Sequence, residues 1–98
     1  MAVYVDDMHL TKLGQYRRMK MCHMVADTHE ELLAMADRIG VQRKWIQGPG
    51  TAKEHFDICM SKRALAVASG AQEVTMDDVV MIVRGKREQM SKAVQPCA

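Results

Sequence analysis

Apolar and polar residues recur along the first half of the chain with spacings that predict two strands and a helix. An apolar run at 2–5 predicts a first strand, and partial alternation at 21–26 predicts a second one. The polar and basic segment 9–20 between them predicts a long loop. Thr28 begins a helix by a capping box, and Gly40 ends it after a single apolar face.

The second half of the chain predicts two further strands around a second helix. Residues 41–47 predict a third strand, and residues 72–74 predict a minimal fourth one. The helix between them begins at Asp57 or Ser61 and closes at Gly70, with a face of small residues.

These elements predict one α/β domain over residues 1–90, followed by a frayed tail over residues 91–98. A third helix is predicted over roughly 76–90. Two consecutive strand–helix–strand passages favour a small, mainly parallel sheet of three to four strands with about three helices against it. So small a core would gain from burial against a second copy, which leaves a homodimer as an open expectation.

Composition excludes several classes without naming a function. The 48% hydrophobic and 27% charged residues exclude a disordered chain. No apolar run approaches the roughly 20 residues of a membrane span, so no membrane partner is expected. Three cysteines without a CxxC pair predict reduced thiols in a cytoplasmic protein. A net charge of +2 does not by itself indicate a nucleic-acid partner.

Three carboxylates at predicted strand ends are the candidate metal ligands. Asp6 and Asp7 follow the first strand directly, and Asp27 ends the second. Ligands of α/β folds bind at such strand ends, and carboxylate oxygens suit Mg²⁺ or Mn²⁺. If the two strands are neighbours, the three carboxylates finish near one another. The alternatives are a solvated turn at Asp6 and Asp7 and a helix cap at Asp27.

Two histidines and Asp57 are the candidate catalytic residues. His23 lies on the predicted second strand. His55 stands two residues before Asp57, so His55 and Asp57 project to the same face of an extended segment. A histidine beside a carboxylate can bind a metal or act as a base whose ring the carboxylate orients. The alternatives are an ordinary half-buried His23, a surface His55 and Asp57 as a helix cap.

Four basic residues are candidate contacts to a phosphate. Lys62 and Arg63 fall in the first turn of the predicted second helix, where a positive side chain is unfavourable unless an anion binds the free N–H groups. Arg17 and Arg18 extend this set. The alternative is that all four are solvated.

Trp45 and Gln47 complete the candidate ligand-binding residues. With the nearby basic side chains, Trp45 offers the aromatic and cationic groups of a single-stranded nucleic-acid surface. We nevertheless expect Trp45 to pack in the core, because aromatic residues dominate small cores. Nucleic acid is therefore the weaker of the ligand expectations.

The candidate residues lie in short motifs that cover about residues 2–75. The motifs are Tyr4-Val5-Asp6-Asp7, His23-Met24-Val25-Ala26-Asp27-Thr28 with Glu30, Glu31 and Leu32, then Ala36, Ile39 and Gly40, Trp45-Ile46-Gln47, His55-Phe56-Asp57, Ser61-Lys62-Arg63, and Ala68 through Gly70-Ala71. Together they resemble a bacterial and phage family known as domain of unknown function four-zero-three-one. The Phe departs from the family's more usual His-Tyr-Asp. The resemblance implies a small cytoplasmic or phage-encoded protein and names no reaction.

Three functions are compatible with these residues. The first is binding of a phosphate-containing ligand or nucleotide at the strand-end edge of the sheet. The second is a metal-dependent phosphodiesterase or nuclease that uses the Asp and His residues with Mg²⁺ or Mn²⁺. The third is a non-enzymatic interaction module against a host protein, for which an exposed apolar patch is expected. The sequence favours the first function narrowly over the second.

Overall fold

The computed structural model describes residues 2–93 as five short strands and three helices. The strands are β1 (Val3–Val5), β2 (Gln15–Tyr16), β3 (Met19–Ala26), β4 (Phe56–Cys59) and β5 (Gln72–Glu73). The helices are α1 (His29–Ile39), α2 (Met60–Ala68) and α3 (Met76–Ala93), with short 3-10 turns at Met8–Leu10, Lys12–Gly14 and Arg43–Trp45. The α/β class and the three helices are confirmed.

The expected parallel arrangement of the sheet is wrong. Within residues 2–93, β3 pairs antiparallel with β1, β2 and β4, and the parallel pair is β1 with β5. The reason lies in the connection after α1, where residues 41–55 carry the chain back to the end of β3. A hydrogen bond of 2.8 Å between His29 Nδ1 and Glu54 Oε1 fixes that return. β4 therefore enters beside the last residues of β3 and runs against it.

Three local predictions also need correction. Residues 41–47 do not form a strand, because Arg43–Trp45 is a 3-10 turn and Gln47 makes a single bridge to His55. Trp45 is 63% exposed and does not join the core. Asp57 lies inside β4, so it does not cap α2, which follows at Met60.

Helix α1 forms as the sequence predicts. The Thr28 hydroxyl accepts a hydrogen bond from the Glu31 backbone N–H at 3.2 Å and donates one to the Glu31 carboxylate at 2.8 Å. Gly40 ends the helix with a φ of 80°, a conformation that side chains rarely adopt. The predicted apolar face is buried, and its residues are Leu32, Met35, Ala36 and Ile39.

The sheet has one face toward α1 and α2 and another that carries polar groups. Along β3, Cys22 and Met24 are buried in the core, whereas His23 between them is only half-buried. Along β4, Phe56 is buried and Asp57 is exposed. Because side chains alternate along a strand, His23 and Asp57 both stand on the face opposite the helices.

Helix α3 continues beyond the predicted boundary of the domain. It runs to Ala93, so the first residues of the predicted tail are helical, and residues 94–98 lie outside the described part of the chain. Over the described range 2–93, no helix combines the length and the apolar character that crossing a membrane requires.

We expect Gly14→Ala to destabilise the fold by about 1–3 kcal/mol, because the tight backbone there leaves no room for a methyl group. An added Cβ would overlap the carbonyl oxygen of Met8 and stand 2.7 Å from that of Met21. Thermal denaturation should show a fall in melting temperature of about 4–8 °C per kcal/mol. Gly85→Ala in α3 is the matched control. A Cβ there meets no atom within 4 Å, so this change should leave the stability equal or higher.

Candidate functional site

Four polar side chains meet on the face of the sheet opposite α1 and α2. His23 of β3 and Asp57 of β4 are direct partners across the antiparallel pair. His55 stands two residues before Asp57 and therefore on the same side of the chain. The rings of His23 and His55 lie edge to face with centroids 5.1 Å apart. Asp6 reaches His23 from the end of β1, which also pairs with β3.

Asp6 is fully buried and holds the ring of His23. Its Oδ2 accepts a hydrogen bond of 2.7 Å from His23 Nδ1, and its Oδ1 accepts from the backbone N–H groups of His23 and Met8 at 2.8 and 3.2 Å. Burial alone raises the pKa of Asp6, but these hydrogen bonds outweigh it, so the pKa lies below its ordinary value. Asp6 is thus an ionised acceptor with both oxygens occupied.

The pairing with Asp6 determines which nitrogen of His23 faces outward. Because Asp6 is an acceptor, the ring carries its proton on Nδ1 and directs Nε2 toward the Asp57 Oδ1, 3.8 Å away. The Asp6 hydrogen bond raises the pKa of His23 above its ordinary value, although partial burial acts in the opposite direction. A cation bound at Nε2 therefore competes with a proton for this nitrogen.

His55 and Asp57 are oriented by neighbours in the same way. His55 Nδ1 lies 2.8 Å from the carbonyl oxygen of Lys53, which only accepts, so Nδ1 carries the proton and Nε2 is free. His55 Nε2 stands 3.5 Å from Asp57 Oδ1. The other Asp57 oxygen accepts a hydrogen bond of 2.7 Å from Gln47 Nε2. Gln47 is held in turn by its two backbone hydrogen bonds to His55.

The resulting set of His23, His55 and Asp57 has the geometry of a metal site. One ligand atom from each residue lies within 4.8 Å of the other two. Ligands of a tetrahedral ion with bonds of about 2.0–2.2 Å stand roughly 3.3 Å apart, so small side-chain movements would close this set on an ion. Two imidazoles with one carboxylate suit Zn²⁺, Mn²⁺ or Fe²⁺ better than Mg²⁺.

The structure does not bring Asp6, Asp7 and Asp27 together as ligands. Asp7 accepts a hydrogen bond from the backbone N–H of Met76 at 2.9 Å, at the start of α3. Asp27 accepts from the Ala2 N–H and from the Tyr4 hydroxyl at 2.7 and 3.0 Å. Because β1 and β3 are antiparallel, Asp27 lies at the opposite end of the pair from Asp6.

The basic residues expected at the start of α2 lie against different parts of the fold. Arg63 donates to the Asp6 carbonyl oxygen at 3.3 Å and to the Glu73 carboxylate at 2.8 Å. A methyl group built on Gly40 would stand 3.1 Å from Lys62 Nζ, so this ammonium lies at the C-terminal end of α1, where a cation is favourable. Arg17 and Arg18 lie in the turn between β2 and β3. Arg63 is thus held by contacts within the fold, and Lys62 lies beside the end of α1.

A groove of about 610 Å³ adjoins the cluster and contains residues that the sequence analysis did not select. Its lining includes Gln47 and Asp57 of the cluster region together with Trp45, Tyr16 and Met19. The sequence predicts Trp45 and Gln47 as ligand contacts, whereas Tyr16 and Met19 lie in the predicted loop 9–20 and have no predicted role. The Lys53 carbonyl was also missed, because a backbone acceptor leaves no signal in a residue pattern.

Comparison with known proteins adds one finding. A family model described as "Protein of unknown function (DUF4031)" matches residues 3–86, which extends beyond the range of the sequence motifs into α3. No curated protein and no solved structure matches the chain. The geometry of the site is therefore the basis for any functional conclusion.

Proposed function

The chain belongs to the DUF4031 family, whose description names no activity, and we propose from the site geometry that it is a divalent-metal-dependent hydrolase of phosphate esters. His23, His55 and Asp57 would hold the ion, and Asp6 would fix the ring of His23. The proposed ion is Zn²⁺, Mn²⁺ or Fe²⁺. In this proposal one site both holds the ion and binds the phosphate.

One observation supports the metal above all others: each potential ligand is fixed by a hydrogen bond at its far side. Asp6 binds His23 Nδ1, the Lys53 carbonyl binds His55 Nδ1, and Gln47 binds the second Asp57 oxygen. Metal-binding histidines almost always donate their other ring N–H to such an acceptor, which fixes the tautomer and the direction of the free nitrogen. Two solvated surface histidines would not need this support.

The charge of the site favours an anionic substrate. Two neutral imidazoles and one carboxylate leave a bound divalent ion with a formal charge of about +1 and with open coordination positions. Phosphate oxygens are hard anionic ligands that such an ion attracts. Lys62 and Arg63 make other contacts, so the ion would supply the positive charge that was expected from them.

The proposed reaction uses water as its co-reactant. A bound ion of this kind would lower the pKa of water and so supply a hydroxide nucleophile, with the proton of the water passing to solvent. The hydroxide oxygen forms a bond to phosphorus, while the bond from phosphorus to the leaving oxygen breaks. The leaving oxygen then takes up a proton from water, which gives an alcohol and a phosphate.

We expect the protein to bind one equivalent of Zn²⁺ or Mn²⁺ and to bind Mg²⁺ much more weakly. Isothermal titration calorimetry at mildly alkaline pH, where fewer protons compete for His23, measures the stoichiometry and the affinity. Ion at about 100 times the dissociation constant stabilises the folded state by about 2.7 kcal/mol, which should raise the melting temperature by about 10 °C or more.

Hydrolysis is measured separately with bis(4-nitrophenyl) phosphate, whose product absorbs visible light. Release of 4-nitrophenolate should require the ion and stop when a chelator is added. Absence of binding for all three transition ions at millimolar concentration would contradict the metal site. Stoichiometric metal without turnover of any phosphate mono- or diester would contradict the hydrolase.

A further inference from the structure

The groove beside the cluster of His23, His55 and Asp57 is lined by large side chains that are exposed to solvent. It lies between the β2–β3 hairpin and the Arg43–Trp45 turn and has a volume of about 610 Å³, which is within the usual range for small-ligand sites. Trp45 is 63% exposed, Tyr16 is 57% exposed and Met19 is 48% exposed. Exposed apolar groups that cluster in one place mark a binding surface more often than chance exposure does.

A basic side chain lies close to each aromatic ring of the groove. The Arg17 guanidinium stands 5.6 Å from the centroid of the Tyr16 ring, and the Lys44 ammonium stands 5.1 Å from the centroid of the Trp45 ring. Proteins that bind unpaired nucleotides combine these two groups, because bases stack on aromatic rings and the backbone phosphates need positive charge. An apolar protein partner would leave both cations facing an apolar surface.

The groove is continuous with the cluster of His23, His55 and Asp57. Asp57 lines the groove and belongs to the cluster, and Gln47 lines the groove and donates to Asp57. A ligand that fills this groove would therefore contact one residue of the cluster and the neighbour that holds it.

We propose that this groove binds an unpaired nucleobase whose attached phosphate reaches the metal cluster, so that the substrate is a nucleotide or a single-stranded nucleic acid. The assignment of substrate class rests on the proposed hydrolase, whereas stacking in the groove needs only the aromatic residues. A base in a duplex is already stacked on its neighbours, so duplex DNA is not a ligand of this groove. The shared chemistry is a flat heteroaromatic ring joined to a phosphate.

Trp45 is the single tryptophan of the chain, so its fluorescence reports on the groove directly. We expect quenching when a short single-stranded oligothymidylate is added to the protein in the presence of EDTA. The chelator prevents turnover and separates stacking from metal binding. The same titration with thymidine monophosphate distinguishes the two sources, since equal affinity per base indicates a mononucleotide ligand and much tighter binding of the oligomer indicates a strand.

Substitution of Trp45 gives the second measurement. Fluorescence anisotropy of a labelled oligothymidylate should show that Trp45→Ala weakens binding about 5- to 150-fold, the usual effect of removing one stacking ring. Leu65→Ala is the matched control, because Leu65 is 49% exposed on α2 and lies outside the groove. This variant should bind like the unmodified protein.

The outcomes separate this proposal from the metal site. His55→Ala should lose the metal and keep the fluorescence quenching, because the quenching is measured without an ion. No quenching by the monomer or the oligomer at millimolar concentration would overturn the groove assignment while leaving the metal titration as it stands. Binding of duplex as tight as that of single strand, or equal binding by Trp45→Ala, would overturn it as well.

Discussion

Replacing His55 with alanine is expected to lower the affinity for Zn²⁺ or Mn²⁺ by more than about 100-fold. Removing a group that only supports a metal ligand costs about 10- to 100-fold in affinity, and removing a ligand costs more. His23 and Asp57 would remain as two ligands on neighbouring strands, which is fewer than the three protein ligands typical of catalytic sites. Calorimetric titration, or competition with a chromophoric chelator, measures the change.

His29→Ala is the matched control for this change. His29 is also a histidine paired with a carboxylate, since its Nδ1 lies 2.8 Å from Glu54 Oε1. It stands at the first turn of α1 and contacts the residue before His55, so its removal tests the support of this segment without removing a proposed ligand. The two variants should lose comparable stability, but only His55→Ala should lose the metal. Equal metal affinity in both variants would remove His55 from the site.

Asp6→Asn is expected to weaken metal binding about 10- to 100-fold through the tautomer of His23. The asparagine oxygen can still accept from the backbone N–H groups of His23 and Met8, so the local fold should persist. Its amide nitrogen, however, donates to His23 Nδ1, and the ring must then carry its proton on Nε2. A protonated Nε2 has no free electron pair for the ion.

A spectroscopic measurement distinguishes this positioning role from a general loss of stability. Long-range nitrogen–proton correlation spectra of the metal-free protein should show His23 as the Nδ1–H tautomer before the change and as the Nε2–H tautomer after it. Asp7→Asn is the control, because Asp7 is the adjacent carboxylate and bonds to α3. It should change neither the tautomer nor the metal affinity. An unchanged tautomer in Asp6→Asn would show that Asp6 does not orient the ring.

The sequence predicts local features of this protein better than it predicts strand pairing. Helix α1 depends on Thr28, Gly40 and the apolar spacing between them, all of which are local. The shared direction of His55 and Asp57 is local as well, since it follows from their spacing on an extended chain. These predictions are confirmed because each requires only neighbouring residues.

The meeting of His23 with Asp57 depends on long-range pairing and could not be derived in the same way. Periodicity shows that a segment is extended, but it does not show which strand it pairs with or in which direction. The apolar residues Val41, Trp45 and Ile46 made residues 41–47 resemble a strand, so β4 was placed one segment too early. The direction of pairing was also wrong. A parallel pair would bring Asp27 close to Asp6, whereas the two residues lie at opposite ends of an antiparallel pair.

The exposure of Trp45 contradicts its predicted place in the core. A small core usually takes up its large aromatic residues, and on that basis Trp45 was expected inside. Its position in the wall of a groove contradicts the expectation, and such local departures from the folding rules concentrate at functional sites. Its exposure is therefore the main observation that connects this surface to a ligand.

Asp6 and Asp7 are consecutive, yet they fix different parts of the molecule. The Asp6 side chain holds the His23 ring, and the Asp7 side chain binds the first backbone N–H of α3. The His23 ring and the start of α3 are thus both held from the end of β1, by consecutive residues. The two carboxylates nevertheless act separately, because that of Asp6 contacts β3 and that of Asp7 contacts α3, so a change at Asp7 leaves the His23 contact in place.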